Sequence, residues 1–193
     1  GVDLPAAGGA RPGGRFGGGP GGRRPVSGPA NASRAADWMR LARVSNLPTT
    51  WTNVLLGAVL ATRQPDVDGL VVAAAVTGLM YVGGMILNDA VDAPRDRERG
   101  LDRPIAAGRV SRRAAGLVAV GMLLAGPLLT LAAAGPGAAA AWAAGLAACV
   151  VAYDLLKERG VLALVLMGAC RGLILPLAAS LQSGAGGGWG GDA

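Results

Sequence analysis

The sequence predicts an all-α protein that crosses a membrane several times as a helix bundle. Of its 193 residues, 52% are hydrophobic and only 16% are charged, and the mean hydropathy is +0.44. A soluble domain of this size needs more polar surface than this composition supplies. Apolar runs of membrane-spanning length, separated by short polar connections, complete the pattern. We therefore expect a multi-pass integral membrane protein.

The two ends of the chain differ in composition from its middle. Residues 1–34 are rich in Gly, Pro and Arg and contain no apolar block, which predicts a disordered tail rather than a signal peptide. The helical domain is expected over residues 35–180, followed by a Gly-rich end at residues 181–193.

The middle of the chain contains about five predicted transmembrane helices. The apolar spans are Val44–Thr62, Gly69–Asn88, Ala114–Tyr153 and Val161–Ser180. The third span is uncharged throughout and far too long for one crossing of a hydrocarbon core roughly 30 Å thick. The turn residues Gly135, Pro136 and Gly137 divide it into two helices.

The arginines predict the orientation of these helices. Basic and arginine-poor connections alternate along the chain, with seven arginines between residues 89 and 113 and none in the turn 135–137. Because cytoplasmic loops are enriched in Lys and Arg, we place the N-terminus and the connections 89–113 and 154–160 in the cytoplasm. Residues 181–193 are then extracytoplasmic, and a bacterial-type cell membrane is the expected location.

The composition also excludes several kinds of site. The chain has no histidine, so imidazole catalysis and histidine-ligated metals are excluded. Its two cysteines, Cys149 and Cys170, lie in apolar runs without a CxxC spacing and are interpreted as packing residues. The net charge of +6 is explained by membrane topology, so no nucleic-acid partner is predicted.

A group of carboxylates stands where the second apolar span ends. Asn88, Asp92 and Asp96 follow one another at intervals of four residues, so on a continuing helix they share one face, with Asp89 beside them. Their hard oxygen atoms are the kind of ligand that Mg²⁺ accepts. The alternative is a solvated loop whose acids pair with neighbouring arginines. Pro94 is expected to kink or end the helix between Asp92 and Asp96.

Three stretches resemble the UbiA superfamily of intramembrane prenyltransferases. The first is Asn88-Asp89-x-x-Asp92-x-x-x-Asp96 followed by Arg103-Pro104-Ile105-x-x-Gly108-Arg109-Val110-Ser111, which is similar to the superfamily's first aspartate-rich motif. The others are Arg43-x-x-Asn46-x-Pro48 and Tyr153-Asp154-x-x-Lys157. The resemblance covers about residues 38–180 and is closest to the EboC-like branch.

The resemblance implies roles for individual residues. Asn88, Asp92 and Asp96 would hold Mg²⁺, and Asp89 and Lys157 would be catalytic. The diphosphate-binding residues would be Arg43, Asn46, Arg103, Lys157 and Arg171. An arginine near mid-membrane costs about 2.5–3.5 kcal/mol on insertion scales, so Arg171 is expected to face a cavity or a partner. It would contact either the substrate or an acid in another part of the protein.

The resemblance implies a Mg²⁺-dependent enzyme that transfers an isoprenyl group from a prenyl diphosphate to an aromatic or other electron-rich acceptor, small molecule or lipid, in the bilayer. This sequence departs from the superfamily pattern in two ways. Superfamily members have nine helices and a second aspartate-rich motif on the sixth helix. Neither that motif nor the usual Pro-Ser at Ala106-Ala107 is present here, so a piece truncated after the fifth helix is expected. A non-catalytic membrane fragment is the alternative. A CDP-alcohol phosphotransferase is disfavoured, because its DGxxAR motif is absent.

The predicted orientation can be tested by labelling single cysteines in a background that lacks Cys149 and Cys170. A cysteine at position 98 should be protected from an impermeant reagent added outside, and cysteines at positions 64 and 186 should react. Labelling of position 98 from outside would contradict this topology.

Overall fold

The computed structural model describes residues 30–182, in which all regular secondary structure is helical. The helices are α1 (Ala30–Ala42), α2 (Leu47–Ala61), α3 (Val67–Glu98), α4 (Arg112–Ala134), α5 (Ala138–Leu156), α6 (Val161–Gly172) and α7 (Ile174–Ser180), with a 3₁₀ turn at Val44–Asn46. The prediction of an all-α bundle is confirmed. Helix α1 begins inside the segment assigned to the tail, whereas residues 1–29 and 183–193 lie outside the described range.

Within residues 30–182, four helical segments are long and apolar enough to cross a membrane. They are Val67–Glu98, Arg112–Ala134, Ala138–Leu156 and Val161–Ser180. The first predicted span instead contains the 15-residue helix α2, about 22 Å long at 1.5 Å per residue. Helix α3 has 32 residues, about 48 Å. It is longer than the hydrocarbon core is thick, so one of its ends must project.

The last predicted span consists of two helices that meet at Leu173. Pro176 lies four residues after Gly172, and a proline ring clashes with the carbonyl group four residues earlier in a continuous helix. The break separates two different environments. Helix α6 has no buried residue, whereas Ile174, Leu177 and Ala178 of α7 are buried in the core.

Pro94 does not end the helix, so that half of the expectation of a kink or an end is wrong. Helix α3 continues through Pro94 to Glu98. An interior proline costs about 3 kcal/mol or more, partly because the carbonyl four residues earlier loses its N–H donor. That carbonyl belongs to Ala90, and Nε of Arg112 donates a hydrogen bond to it at 2.7 Å. An arginine on α4 therefore satisfies the acceptor that the proline leaves open.

The connections between helices lie at the two ends of the bundle, and they are grouped there as the predicted topology requires. At one end, the backbone N–H of Asp66 donates to Oε1 of Gln182 at 2.8 Å, which joins the start of α3 to the end of α7. At the other end, Arg95 and Glu158 form an ion pair. The connections 62–66 and 181–182 therefore share one end, and those after α3 and α5 share the other.

Helices α2 and α7 pack backbone to backbone at Gly57. A Cβ atom at this position would lie 2.5 Å from the carbonyl oxygen of Leu175 and 3.1 Å from Cβ of Ala178. The carbonyl belongs to the backbone and cannot move without moving α7. The missing side chain of Gly57 therefore sets the distance between the two helices.

We expect Gly57→Ala to force α2 and α7 apart and to destabilise the protein by about 1–3 kcal/mol. Gly116→Ala is the matched control, because a Cβ atom there meets nothing within 4 Å and the change only raises helix propensity. Thermal unfolding in detergent should show a lower melting temperature for Gly57→Ala alone. Equal behaviour of the two variants would contradict this packing.

Candidate active site

A buried carboxylate, Asp89 on α3, lies at the centre of the site. Asp89 is 5% exposed. Its Oδ1 atom is 3.1 Å from Nη2 of Arg43 and 3.4 Å from Nη1 of Arg103. A buried charge is costly unless it is paired, and here two guanidinium groups from separate parts of the chain supply that pairing.

Arg103 also binds a second buried acid, Asp96. Asp96 is 4% exposed and lies seven residues after Asp89, so both acids project from one face of α3. Oδ2 of Asp96 is 3.0 Å from Nη1 of Arg103. This approach lies off the hydrogen-bond direction, so the contact is an ion pair only. Arg103 thus bridges two turns of the aspartate-rich helix.

Arg43 reaches Asp89 through an unusual backbone conformation. It has φ 45° and ψ 45°, and within residues 30–182 it alone among non-glycine residues has a positive φ. Such a conformation costs roughly 1–3 kcal/mol and is most often found at functional sites. It lies between α1 and the 3₁₀ turn, where the chain changes direction.

A second group of polar side chains joins α3 to the end of α5. Nζ of Lys157 lies 2.8 Å from Oδ1 of Asp92, although without hydrogen-bond geometry. Nδ2 of Asn88 donates to Oδ1 of Asp154 at 2.9 Å. Asp154 is 3% exposed, and its Oδ2 atom has no hydrogen-bond partner within the described residues.

A cavity of about 540 Å³ extends from these groups into the bundle. Arg43, Asn46, Asn88 and Asp154 line its polar end. Much of the remaining lining is apolar, with Leu146, Val150 and Ile174 among its residues, and Thr50, Asn53 and Thr77 add polar groups to it. Arg171 also lines the cavity, and its side chain forms no ion pair within residues 30–182.

A further set of ion pairs centres on Arg109. Arg109 lies 3.1 Å from Asp37 of α1 and 2.6 Å from Asp102 of the connecting loop. The hydrogen bond donated by Arg109 lowers the pKa of Asp102 below its ordinary value. These pairs hold the loop after α3 against α1, and Ile105, only 2% exposed, anchors the same loop in the core.

Of the residues selected from the sequence, four line the cavity: Arg43, Asn46, Asn88 and Arg171. Asp92 and Lys157 line an adjoining pocket that shares Asp154 with the cavity, and the remaining three are ion-paired with one another and with Arg43. Asp89, Asp96, Arg43 and Arg103 form one group, Asn88, Asp92 and Lys157 form the neighbouring one, and Asn46 and Arg171 line the cavity. Within residues 30–182, no three acidic or cysteine side chains are placed to enclose a single ion. The acids pair with arginine and lysine, as in the alternative interpretation, but Asp89 and Asp96 are buried on a helix rather than in a solvated loop, and the metal role stays a prediction.

Sequence reasoning missed Asp154. It stands beside the noted Lys157 in the segment Tyr153-Asp154-x-x-Lys157, but its spacing gave no reason to place it with Asn88. The available signal was its position directly after the uncharged run Ala114–Tyr153, since ionisable residues at the end of a membrane span can face the bundle interior. Both cysteines are half-buried, and Sγ of Cys170 lies 3.4 Å from Sγ of Cys149, so their interpretation as packing residues stays a prediction.

The fold and this charged site define a multi-pass membrane protein with an ionic cluster at the mouth of an internal cavity. The chain belongs to the UbiA prenyltransferase family, whose model matches residues 49–190. Arg43 and Asn46 precede the matched range, and all the other site residues lie inside it.

Several relatives are named digeranylgeranylglyceryl phosphate synthase. The protein from Methanopyrus kandleri is 37% identical over 89 residues, which are 46% of this chain and 32% of that protein. The protein from Saccharolobus solfataricus is 25% identical over 95 residues, which are 49% of this chain and 34% of that protein. Each alignment spans about a third of the relative's length.

A solved structure of similar fold is described by the words "Structural and mechanistic insights into the biosynthesis of Digeranylgeranylglyceryl phosphate synthase in membranes". Its TM-score is 0.71 at 19% identity, and the match covers 78% of this chain and 54% of the other. This similarity supports the helical architecture. The closeness to the EboC-like branch stays a prediction.

The different burial of the acids predicts different effects of removing their charge. Asp89→Asn leaves two guanidinium groups without their shared buried counter-charge, so we expect a loss of about 3 kcal/mol. Asp102→Asn is the matched control, because its side chain is 79% exposed and its removal should leave stability unchanged. Melting curves in detergent check this, and equal melting temperatures would show that Asp89 does not hold the mouth together.

Proposed function

We propose that this protein transfers an isoprenyl group from a prenyl diphosphate to an acceptor inside the membrane, with the diphosphate bound at the mouth of the cavity. The observation that carries the proposal is a cluster of ion-paired cations next to a cavity: Arg43 lines the cavity, Arg103 shares Asp89 with Arg43, and Lys157 lies in an adjoining pocket. Family membership supports the same reaction.

The three cations are suited to an anionic leaving group. The guanidinium groups of Arg43 and Arg103 offer several N–H donors in fixed geometry, which match phosphate oxygens. Their carboxylate partners already hold them in place, so less conformational entropy is lost when a diphosphate binds. Lys157 adds a third positive charge from the end of α5. Together they would stabilise the negative charge that develops as the allylic C–O bond breaks.

The donor set at the mouth fits Mg²⁺. Asn88, Asp92, Asp96 and Asp154 offer hard oxygen atoms, and Oδ2 of Asp96 and of Asp154 are buried without hydrogen-bond partners among the described residues. Mg²⁺ sites in phosphate enzymes use one or two carboxylates together with substrate phosphates, so a cage of three acids is not required. When bound, Mg²⁺ would neutralise diphosphate charge and favour departure of the leaving group.

The apolar wall of the cavity would take the isoprenyl chain. A volume of about 540 Å³ lies within the ordinary range for ligand pockets. Hydrocarbon side chains such as Leu146, Val150 and Ile174 offer no nucleophile to an allylic cation and exclude water from it. The cation would then be captured by an electron-rich atom of the acceptor, which loses its proton as the new bond forms.

The names of the relatives suggest the acceptor. A digeranylgeranylglyceryl phosphate carries a phosphate group on a glyceryl lipid, so we propose a phosphorylated glyceryl lipid as the acceptor here. Arg171 supports this choice, because a cation on the cavity wall with no ion pair in the described range can bind a second phosphate. An aromatic acceptor remains the competing hypothesis.

The metal-binding role can be tested with Asp92→Asn. The side chain of Asp92 is 20% exposed, so its loss should spare the fold yet reduce prenyl transfer by on the order of 100-fold. Asp68→Asn, at the opposite end of the same helix, is the matched control and should retain activity. Unchanged turnover in Asp92→Asn, or full activity in excess chelator, would contradict the metal-binding role, whereas a wild-type protein without any turnover would favour a non-catalytic membrane protein.

The acceptor proposal can be tested at Arg171. Arg171→Leu should raise KM for a glyceryl phosphate lipid by about tenfold or more, with KM for the prenyl diphosphate nearly unchanged. Arg171→Lys should recover only part of this, because a bidentate phosphate contact does not survive the change. A rise in KM for the prenyl diphosphate would assign Arg171 to the donor, and unchanged KM for both would remove it from the site.

A further inference from the structure

The aspartate-rich helix depends on one contact that the reaction itself does not use. Pro94 lies between the site residues Asp92 and Asp96, and α3 nevertheless stays helical across it. A proline has no N–H, so the carbonyl oxygen of Ala90 cannot receive its ordinary helical hydrogen bond. Ala90 is 5% exposed, which also keeps water from this oxygen.

The missing donor is replaced from the next helix. Nε of Arg112 lies 2.7 Å from the carbonyl oxygen of Ala90. Arg112 is the first residue of α4, and the side chain of Ser111 caps this helix by accepting from the N–H of Ala114. Ala115, 0% exposed, packs in the same buried cluster as Ala90. The base of Arg112 is therefore fixed by the cap and by the core.

We propose that Arg112 is a positioning residue that keeps α3 in register across Pro94, so that Asp96 stays within reach of Arg103. Without the contact, the proline can kink the helix in the turn that ends at Asp96. Asp89 and Asn88 precede the proline and would keep their places. Loss of Arg112 should thus move Asp96 away from Arg103 while Asn88 and Asp89 stay in place.

The neighbouring arginine offers a matched control. Arg113 carries the same charge at the same end of the bundle, and its side chain forms no hydrogen bond or ion pair within residues 30–182. If Arg112 served only to attract lipid headgroups or to set topology, replacing either arginine would have the same effect.

The experiment is a double-mutant cycle that restores the missing N–H. Arg112→Met keeps a long apolar stem but removes the donor, and Pro94→Ala returns an N–H that can bond to Ala90. Spin labels at positions 99 and 117, in the intact protein without Cys149 and Cys170, report the distance between the end of α3 and α4. Arg112→Met should broaden or shift this distance, and adding Pro94→Ala should restore it. Arg113→Met should leave it unchanged.

The proposed prenyl transfer gives a second readout, and this arm rests on the proposed function. Arg112→Met should lower kcat by about tenfold or more, and Pro94→Ala in the same chain should return most of it. An unchanged distance in Arg112→Met would overturn the positioning role. So would a distance change in Arg112→Met that is the same whether residue 94 is Pro or Ala. If the wild type transfers no prenyl group, the distance measurement still decides the role of Arg112 and only the proposed function fails.

Discussion

The ion pairing of Asp89 is the interaction on which the rest of this structure depends. A buried carboxylate needs a counter-charge, and Asp89 takes two, one from the turn after α1 and one from the loop after α3. One oxygen atom thus ties three segments of the chain together. The left-handed backbone of Arg43 is a local cost that this attraction offsets. Because Arg103 also pairs with Asp96, the same interaction fixes the acidic end of α3.

In the proposed function, the pairing would also let one site serve both a metal and a diphosphate. Each acid at the mouth is matched by a cation, apart from Asp154, which accepts from Asn88. A metal ion and an anionic substrate together bring opposite charges, so carboxylates and cations can exchange partners without leaving any charge unpaired. The free-energy cost of burying these charges is then offset partly by ion pairs within the protein and partly by the bound ligands. Arg171, deeper along the cavity, lies outside this exchange.

The helical architecture could be predicted from the sequence because a polypeptide chain can adopt few backbone structures inside a lipid bilayer. Every backbone group in a bilayer must be satisfied internally, so apolar runs of the right length become helices. The four-residue spacing was a weaker guide, because Asn88 and Asp92 contact the end of α5 whereas Asp96 pairs with Arg103 beside Asp89. What the sequence could not supply were contacts between distant residues. The continuity of α3 rests on Arg112, 22 residues from Ala90, and Asp154 joins the site only because α5 turns that face towards α3.

The most direct measurement is calorimetric titration of a non-hydrolysable prenyl diphosphate analogue at a series of Mg²⁺ concentrations. If carboxylate-held metal and the cations of the mouth bind the diphosphate together, each ligand must raise the affinity for the other by the same factor. We expect weak binding of Mg²⁺ alone, weak binding of the analogue in chelator, and at least about tenfold tighter binding when both are present. Analogue affinity that does not depend on Mg²⁺, in a protein that binds the analogue well, would contradict the assignment of these carboxylates to a metal.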